Sequence, residues 1–172
     1  MAKKFQALIP ALFPEEEAQF WQRLFDSAPL SIFISQLILV FREEQRYLPR
    51  EAAPLFEEAA RCSHLDAAYR EITPEYRIER CEFSPCPHPS KELKEAGYRH
   101  LQEREREEDR AIPFEEYDIE VFLDEEADVA RLDFLPKIPP GLSWMDIGMG
   151  GPGMTIYITL TQHDLIQYWG YR

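Results

Sequence analysis

Cys62-Ser-His64, Cys81 and Cys86-Pro-His88 place three thiols and two imidazoles between positions 62 and 88. Thiolates and imidazoles are the ligands of four-coordinate zinc. Their spacing argues against such a site, because Cys81 and Cys86 stand five apart and each Cys-x-His pair is too tight for both side chains to chelate comfortably. The expectation is three reduced thiols and no metal. An odd number of cysteines, in a chain large enough to fold without staples, fits a reducing cytoplasmic setting.

A nucleophile would need a base beside it and a third group to orient that base. His64, His88, His100 and His163 are available as bases, but no Gly-x-Ser-x-Gly elbow is present. No catalytic residue and no cofactor is therefore assigned. Gly148-Met-Gly-Gly-Pro-Gly153 gathers four of the seven glycines. Phosphate loops use such glycines ahead of a helix N-terminus. Here the residues that follow alternate as a strand, and no Lys or Arg lies between Lys137 and Arg172. A hairpin loop is the better reading.

The strongest local signal is acidic. Glu115, Glu116, Asp118, Glu120, Asp124, Glu125, Glu126 and Asp128 fall within fourteen residues that contain no basic side chain. Calcium loops need an Asp-x-Asp-x-Asp-Gly run, which is absent. Catalytic carboxylates need a pair flanking a cleft, and spacing alone selects no pair. Two readings remain: a solvated strand face that discourages edge pairing, and a docking surface for a basic protein. The aromatic residues Trp144, Tyr157, Tyr168, Trp169 and Tyr171 bear on the choice. Tyr157 falls on the strand face opposite Ile156 and Ile158, and Tyr and Trp anchor interfaces. The same residues would also suit a second packed layer.

These groups must be positioned by a core, and the composition allows one. The 172 residues are 45% hydrophobic and 13% aromatic, too apolar for a disordered chain. With 32 acidic against 19 basic side chains the net charge is −13. That balance argues against sequence-independent nucleic-acid binding and against docking on anionic lipid. The longest apolar run, Leu30–Phe41, is shorter than the roughly 20 residues a membrane span needs. Met1 to Pro10 has no apolar segment with a cleavage site, so no signal peptide is expected.

Helical spacing dominates the first half. Pro14 followed by Glu15, Glu16 and Glu17 suits a helix N-terminus, and Phe20, Trp21, Leu24 and Phe25 continue the period over 14–26. Leu30–Phe41 carries Ile32, Ile34, Ile38 and Val40, which suit a strand, but Arg42–Tyr47 extends it with helix formers. Short helices are predicted over 51–61, 65–72 and 74–80, the last with Thr73 as cap. Phe83–Ser90 carries three alternate prolines and reads as a loop or extended linker. Ser90 then caps a helix to about Asp109.

The second half changes period. Tyr117, Ile119, Val121 and Leu123 alternate with polar positions, as do Met154, Ile156, Ile158 and Leu160, which predicts half-buried antiparallel strands. Val129–Leu135 and Leu142–Gly148 are weaker strand candidates. Thr161-Gln-His-Asp164 before Leu165, Ile166, Tyr168 and Trp169 resembles a capping box, favouring a terminal helix narrowly over a fifth strand.

The expected fold is α+β, with N-terminal helices packed on a C-terminal four- or five-stranded, mainly antiparallel sheet. A single domain over 1–172 would hold helices over residues 1–110, the proline-rich loop 83–90 and the sheet over residues 115–172. The expected function is that of a non-enzymatic acidic protein masking a basic, toxin-like protein partner, most concretely a bacterial immunity protein. The alternative is a small enzyme or ligand-binding protein with a pocket between helices and sheet, drawing on Cys62, His64, His88 and Asp146.

Overall fold

The computed structural model describes residues 2–50, 52–62, 64–107, 113–138, 141 and 153–170. The chain forms two compact units, Met1–Glu79 and Arg80–Arg172. Helices occupy the N-terminal half and a five-stranded antiparallel sheet the C-terminal part, as the α+β reading expects.

The first unit is helical: α1 (Ala2–Leu12), α2 (Glu15–Ser27), α3 (Leu30–Glu43), α4 (Ala53–Cys62), α5 (Asp66–Arg70) and α6 (Pro74–Glu79). Its ambiguous segment resolves as helix α3. Phe33, Ile34, Leu37, Ile38 and Phe41 are buried at helical spacing, whereas β-branched Ile32 is 50% exposed. A strand would have alternated and buried a different set. Pro14 and Pro29 directly precede α2 and α3, and their carbonyls accept the Ala18 and Phe33 amides at 2.9 and 3.0 Å. Thr73 caps α6 by accepting the Tyr76 amide at 3.3 Å. Helix α1 has no counterpart among the elements predicted from periodicity. Its buried Phe5, Ile9 and Leu12 lie at i, i+4 and i+7, and Pro10 sits inside the helix. In its last turn the ring removes one amide donor, and the helix closes two residues later.

The core of this unit joins Phe5, Ile9, Phe13, Trp21, Phe33, Phe41 and Phe56 among others. Arg46 fastens its rim. The guanidinium lies 4.9 Å from the Phe13 ring centroid and 4.8 Å from that of Phe41. It also donates to Leu12 C=O and pairs with Glu17 at 3.0 Å. One side chain thereby ties α2 and the ends of α1 and α3 together.

The second unit contains β1 (Ser84–Pro85), α7 (Lys91–Glu107), a 3₁₀ turn (Phe114–Glu116), β2 (Tyr117–Asp124), β3 (Val129–Pro136), β4 (Met154–Thr159) and β5 (Leu165–Gly170). The sheet runs β1-β2-β3-β4-β5, every pair antiparallel. The proline-rich stretch is thus an edge strand of two residues, where a missing amide donor costs no ladder bond. Ser90 accepts the Leu93 amide at 3.1 Å and starts α7. The terminal segment is the strand β5 and not a helix. Thr159 N–H bonds Asp164 C=O and Asp164 N–H bonds Thr159 Oγ1, both at 2.9 Å, so Thr161–Asp164 closes a hairpin. The candidate Leu142–Gly148 and most of the glycine loop fall outside the described residues.

One sheet face carries Val121, Leu132, Phe134, Ile156 and Ile158, and α7 covers it with Leu93, Ala96 and Leu101. Gly97 packs directly against the sheet. A Cβ there would stand 2.8 Å from Leu132 Cδ2 and 3.3 Å from Phe134 Cζ.

Candidate functional site

Pairing register places Asp118, Glu120, Phe122, Arg131, Asp133, Thr155, Tyr157 and Trp169 on the face opposite α7. Asp118 and Glu120 are exposed there. Glu115 and Glu116 are exposed in the 3₁₀ turn at one end of β2. Lys137 holds that turn through main-chain oxygens, its Nζ on Glu115 C=O at 2.6 Å and its N–H on Glu116 C=O at 2.7 Å. Both carboxylates are left outside. Glu125 and Glu126 are exposed at the β2–β3 turn.

Asp124 and Asp128 have other work. The Asp124 carboxylate accepts the Ala127 amide at 3.0 Å and the Glu82 amide at 2.7 Å. These bonds, Ala127 first and Glu82 second, hold its pKa below the ordinary carboxylate value. Asp128, at φ +54°, accepts Thr161 N–H at 3.0 Å and Thr161 Oγ1–H at 2.9 Å. The acidic stretch therefore divides. Two carboxylates build turns, and six are exposed, two on β2 itself and two in the turn at each of its ends. Among the described residues none of those six is in an ion pair.

Tyr157 is only 3% exposed. Its ring packs against Phe83 at 5.9 Å and Trp169 at 5.2 Å. It stands on the face the alternation indicates, but as one member of a packed layer. Trp169 is 49% exposed beside it. Tyr168 lies under the Arg104 guanidinium at 5.0 Å. Trp144 and Tyr171 fall outside the described residues.

The same face holds a buried charge that composition did not single out. Asp133 is 5% exposed. Arg131 donates to it from Nε at 3.1 Å and from Nη2 at 2.7 Å, and Thr155 Oγ1 donates at 2.6 Å. Arg131 also lies 5.0 Å from the Phe122 ring centroid. The signal was present: Arg-x-Asp on a strand puts both side chains on one face. Glu120 is the cross-strand neighbour of Asp133, and the bidentate arginine offsets the repulsion that two facing carboxylates would suffer.

Cys81 and Cys86 are half-buried free thiols, and the Cys62 side chain is not described. His64 and His88 are exposed, and Asp146 lies outside the described residues. His100 Nε2–H donates to His163 C=O at 2.8 Å, linking α7 to the β4–β5 turn. Among the described residues no three His, Cys, Asp or Glu side chains converge as metal ligands. Among the described residues two grooves open to solvent. One, of about 600 Å³, lies along α1 and α2 beside Ile9, Phe13 and Ala18. The other, of about 430 Å³, lies beside β1 at Ser84–Pro87 and Asp124. No described helix is long and apolar enough to cross a membrane. No protein-family model, curated protein or solved structure matches the chain.

Proposed function

We propose that this chain is a non-enzymatic binding protein that masks a basic protein partner, most concretely a bacterial immunity protein neutralising a toxin. The supporting observation is the pair Asp118 and Glu120, exposed side by side on β2 and in no ion pair among the described residues. Glu115, Glu116, Glu125 and Glu126 extend the same field beyond both ends of the strand. The unit that carries them has 19 acidic and 10 basic residues, against 13 and 9 in the helical unit. Unpaired exposed carboxylates hold no fold together, so their cost in self-repulsion is offset only by solubility or by a partner. A field of one sign accelerates encounter with a basic surface and rejects acidic ones.

The test is capture of basic proteins on immobilised wild-type chain and on the double variant Asp118→Lys, Glu120→Lys. The variant should bind at least about tenfold more weakly, corresponding to about 1.4 kcal/mol, and keep the wild-type thermal midpoint. Wild-type binding should fade as salt approaches molar concentration, where the Debye length is about 3 Å. A partner retained equally by both proteins, at low and high salt alike, removes the acidic strand from the function.

A further inference from the structure

Among the described residues the edge of β2 that faces away from β3 is only partly covered. β1 pairs with Phe122 and Leu123, and the Cys86 amide still donates to Val121 C=O at 2.8 Å. Along a strand, main-chain groups of successive residues point to alternate edges. Glu116 C=O bonds Lys137 on the β3 side and Val121 C=O bonds Cys86 on the other. Odd-numbered residues of β2 therefore face outward. The Tyr117 amide is taken up by Phe114 C=O. The N–H and C=O of Ile119 point to the same edge and have no bond to any described residue. Around this gap the side chains sort by face, with Asp118 and Glu120 on one and Ile119 and Val121 on the other.

We propose that this gap receives an extended segment of a basic protein partner as an added strand, a mode of binding that presupposes the docking role proposed above. Its main chain bonds Ile119 and continues the ladder that β1 leaves off. Its Lys or Arg side chains lie over Asp118 and Glu120, and the alternate apolar side chains lie beside Ile119 and Val121. Main-chain bonds supply affinity in such additions, and alternate side chains supply specificity. The charges select the occupant. An acidic strand, including a second copy of β2, would place like charges opposite one another, which is destabilising. A basic strand turns the same two carboxylates from a guard into an attraction.

The probe is a short peptide of alternating lysine and valine, titrated into the full chain at low salt. Two comparison peptides are used, one with methylated backbone nitrogens at the ladder positions and one with glutamate in place of lysine. Binding of the lysine peptide should slow hydrogen exchange of the Ile119 amide. Backbone methylation should weaken it by up to about tenfold for each ladder bond lost, since a neutral main-chain bond is worth at most roughly one such factor. The glutamate peptide should not bind. The variant Asp118→Lys, Glu120→Lys, at its wild-type thermal midpoint, should lose the lysine peptide. Equal affinity with and without methylation, with Ile119 unprotected, overturns strand addition and leaves the docking reading standing. If neither lysine peptide binds, the docking reading falls as well.

Discussion

Replacing Gly97 by alanine sets two opposed effects against each other at one position of α7. In an exposed helix interior the change stabilises by about 0.8–1 kcal/mol, because alanine loses less backbone freedom. Here the new methyl would stand 2.8 Å from Leu132 Cδ2 and 3.3 Å from Phe134 Cζ. The Leu132 tip is flexible in principle, but Leu132 and Phe134 are both fully buried, so any shift must displace packed neighbours. Forcing a methyl into a packed core costs about 1–3 kcal/mol. The net effect is a loss of up to about 2 kcal/mol. In a unit of this size each kilocalorie corresponds to roughly 4–8 °C in thermal midpoint. Denaturant unfolding followed by amide exchange on β3 reads this unit separately from the helical one. Adding Leu132→Ala should reduce the penalty specific to Gly97→Ala, since it removes the obstructing atom, although the double variant carries its own cavity cost. If Gly97→Ala alone raises the midpoint, α7 does not approach β3 closely enough to exclude a methyl, and the reasoning fails.

Tyr69 donates its hydroxyl to Ala53 C=O at 2.8 Å. Burial, and then the charges of Glu57 and Glu75, raise its pKa to about 12. Because the folded value exceeds the unfolded one near 10, stability from the protonated phenol is complete below about pH 10 and is lost as pH rises toward 12. Tyr69→Phe should remove that alkaline decline, measured by the denaturation midpoint from pH 8 upward; an unchanged decline assigns it elsewhere. Thr155→Val deprives buried Asp133 of one donor, and should cost about 1–3 kcal/mol in urea unfolding. Thr155→Ser, which keeps the hydroxyl, should recover most of it. Equal losses in both would show that the methyl and not the bond is the contribution.

How far the fold was legible depended on whether one period spoke alone. In α3 the helical stripe outweighed the β-branched content, because five large side chains fell on one arc. In β2 and β4 the alternation is plain and both strands stand where it places them, while the weaker candidate Val129–Leu135 is the strand β3. β5 reads as a helix because its register shifts opposite Tyr157 and Ile158. The bulge adds a residue, so Leu165, Ile166 and Tyr168 lose strict alternation and imitate helical spacing. The cap-like Thr161–Asp164 strengthened the illusion. Helix α1 was hidden by Pro10 and by the two lysines near its start. Tyr157 looked outward because its strand alternates with Thr155 and Thr159, yet four consecutive β4 residues are buried. Period reveals which face a side chain takes and not what covers that face. Likewise eight acidic residues close in sequence read as one patch, but local hydrogen bonding uses two of them, and the rest divide between β2 and the turns at its two ends.

The order β1-β2-β3-β4-β5 has a kinetic consequence. Most of its pairings join strands adjacent in the chain. The β2–β3 hairpin is the most local, with eight paired positions from Tyr117–Pro136 to Asp124–Val129. Asp124 closes its turn by accepting the Ala127 amide. Such a hairpin forms on the microsecond scale. β4 can join only once the chain between Pro136 and Met154 brings the two strands together, and that closure costs entropy before the new ladder returns anything. Shortening the connection would therefore change how fast the sheet assembles more than how stable it is once assembled.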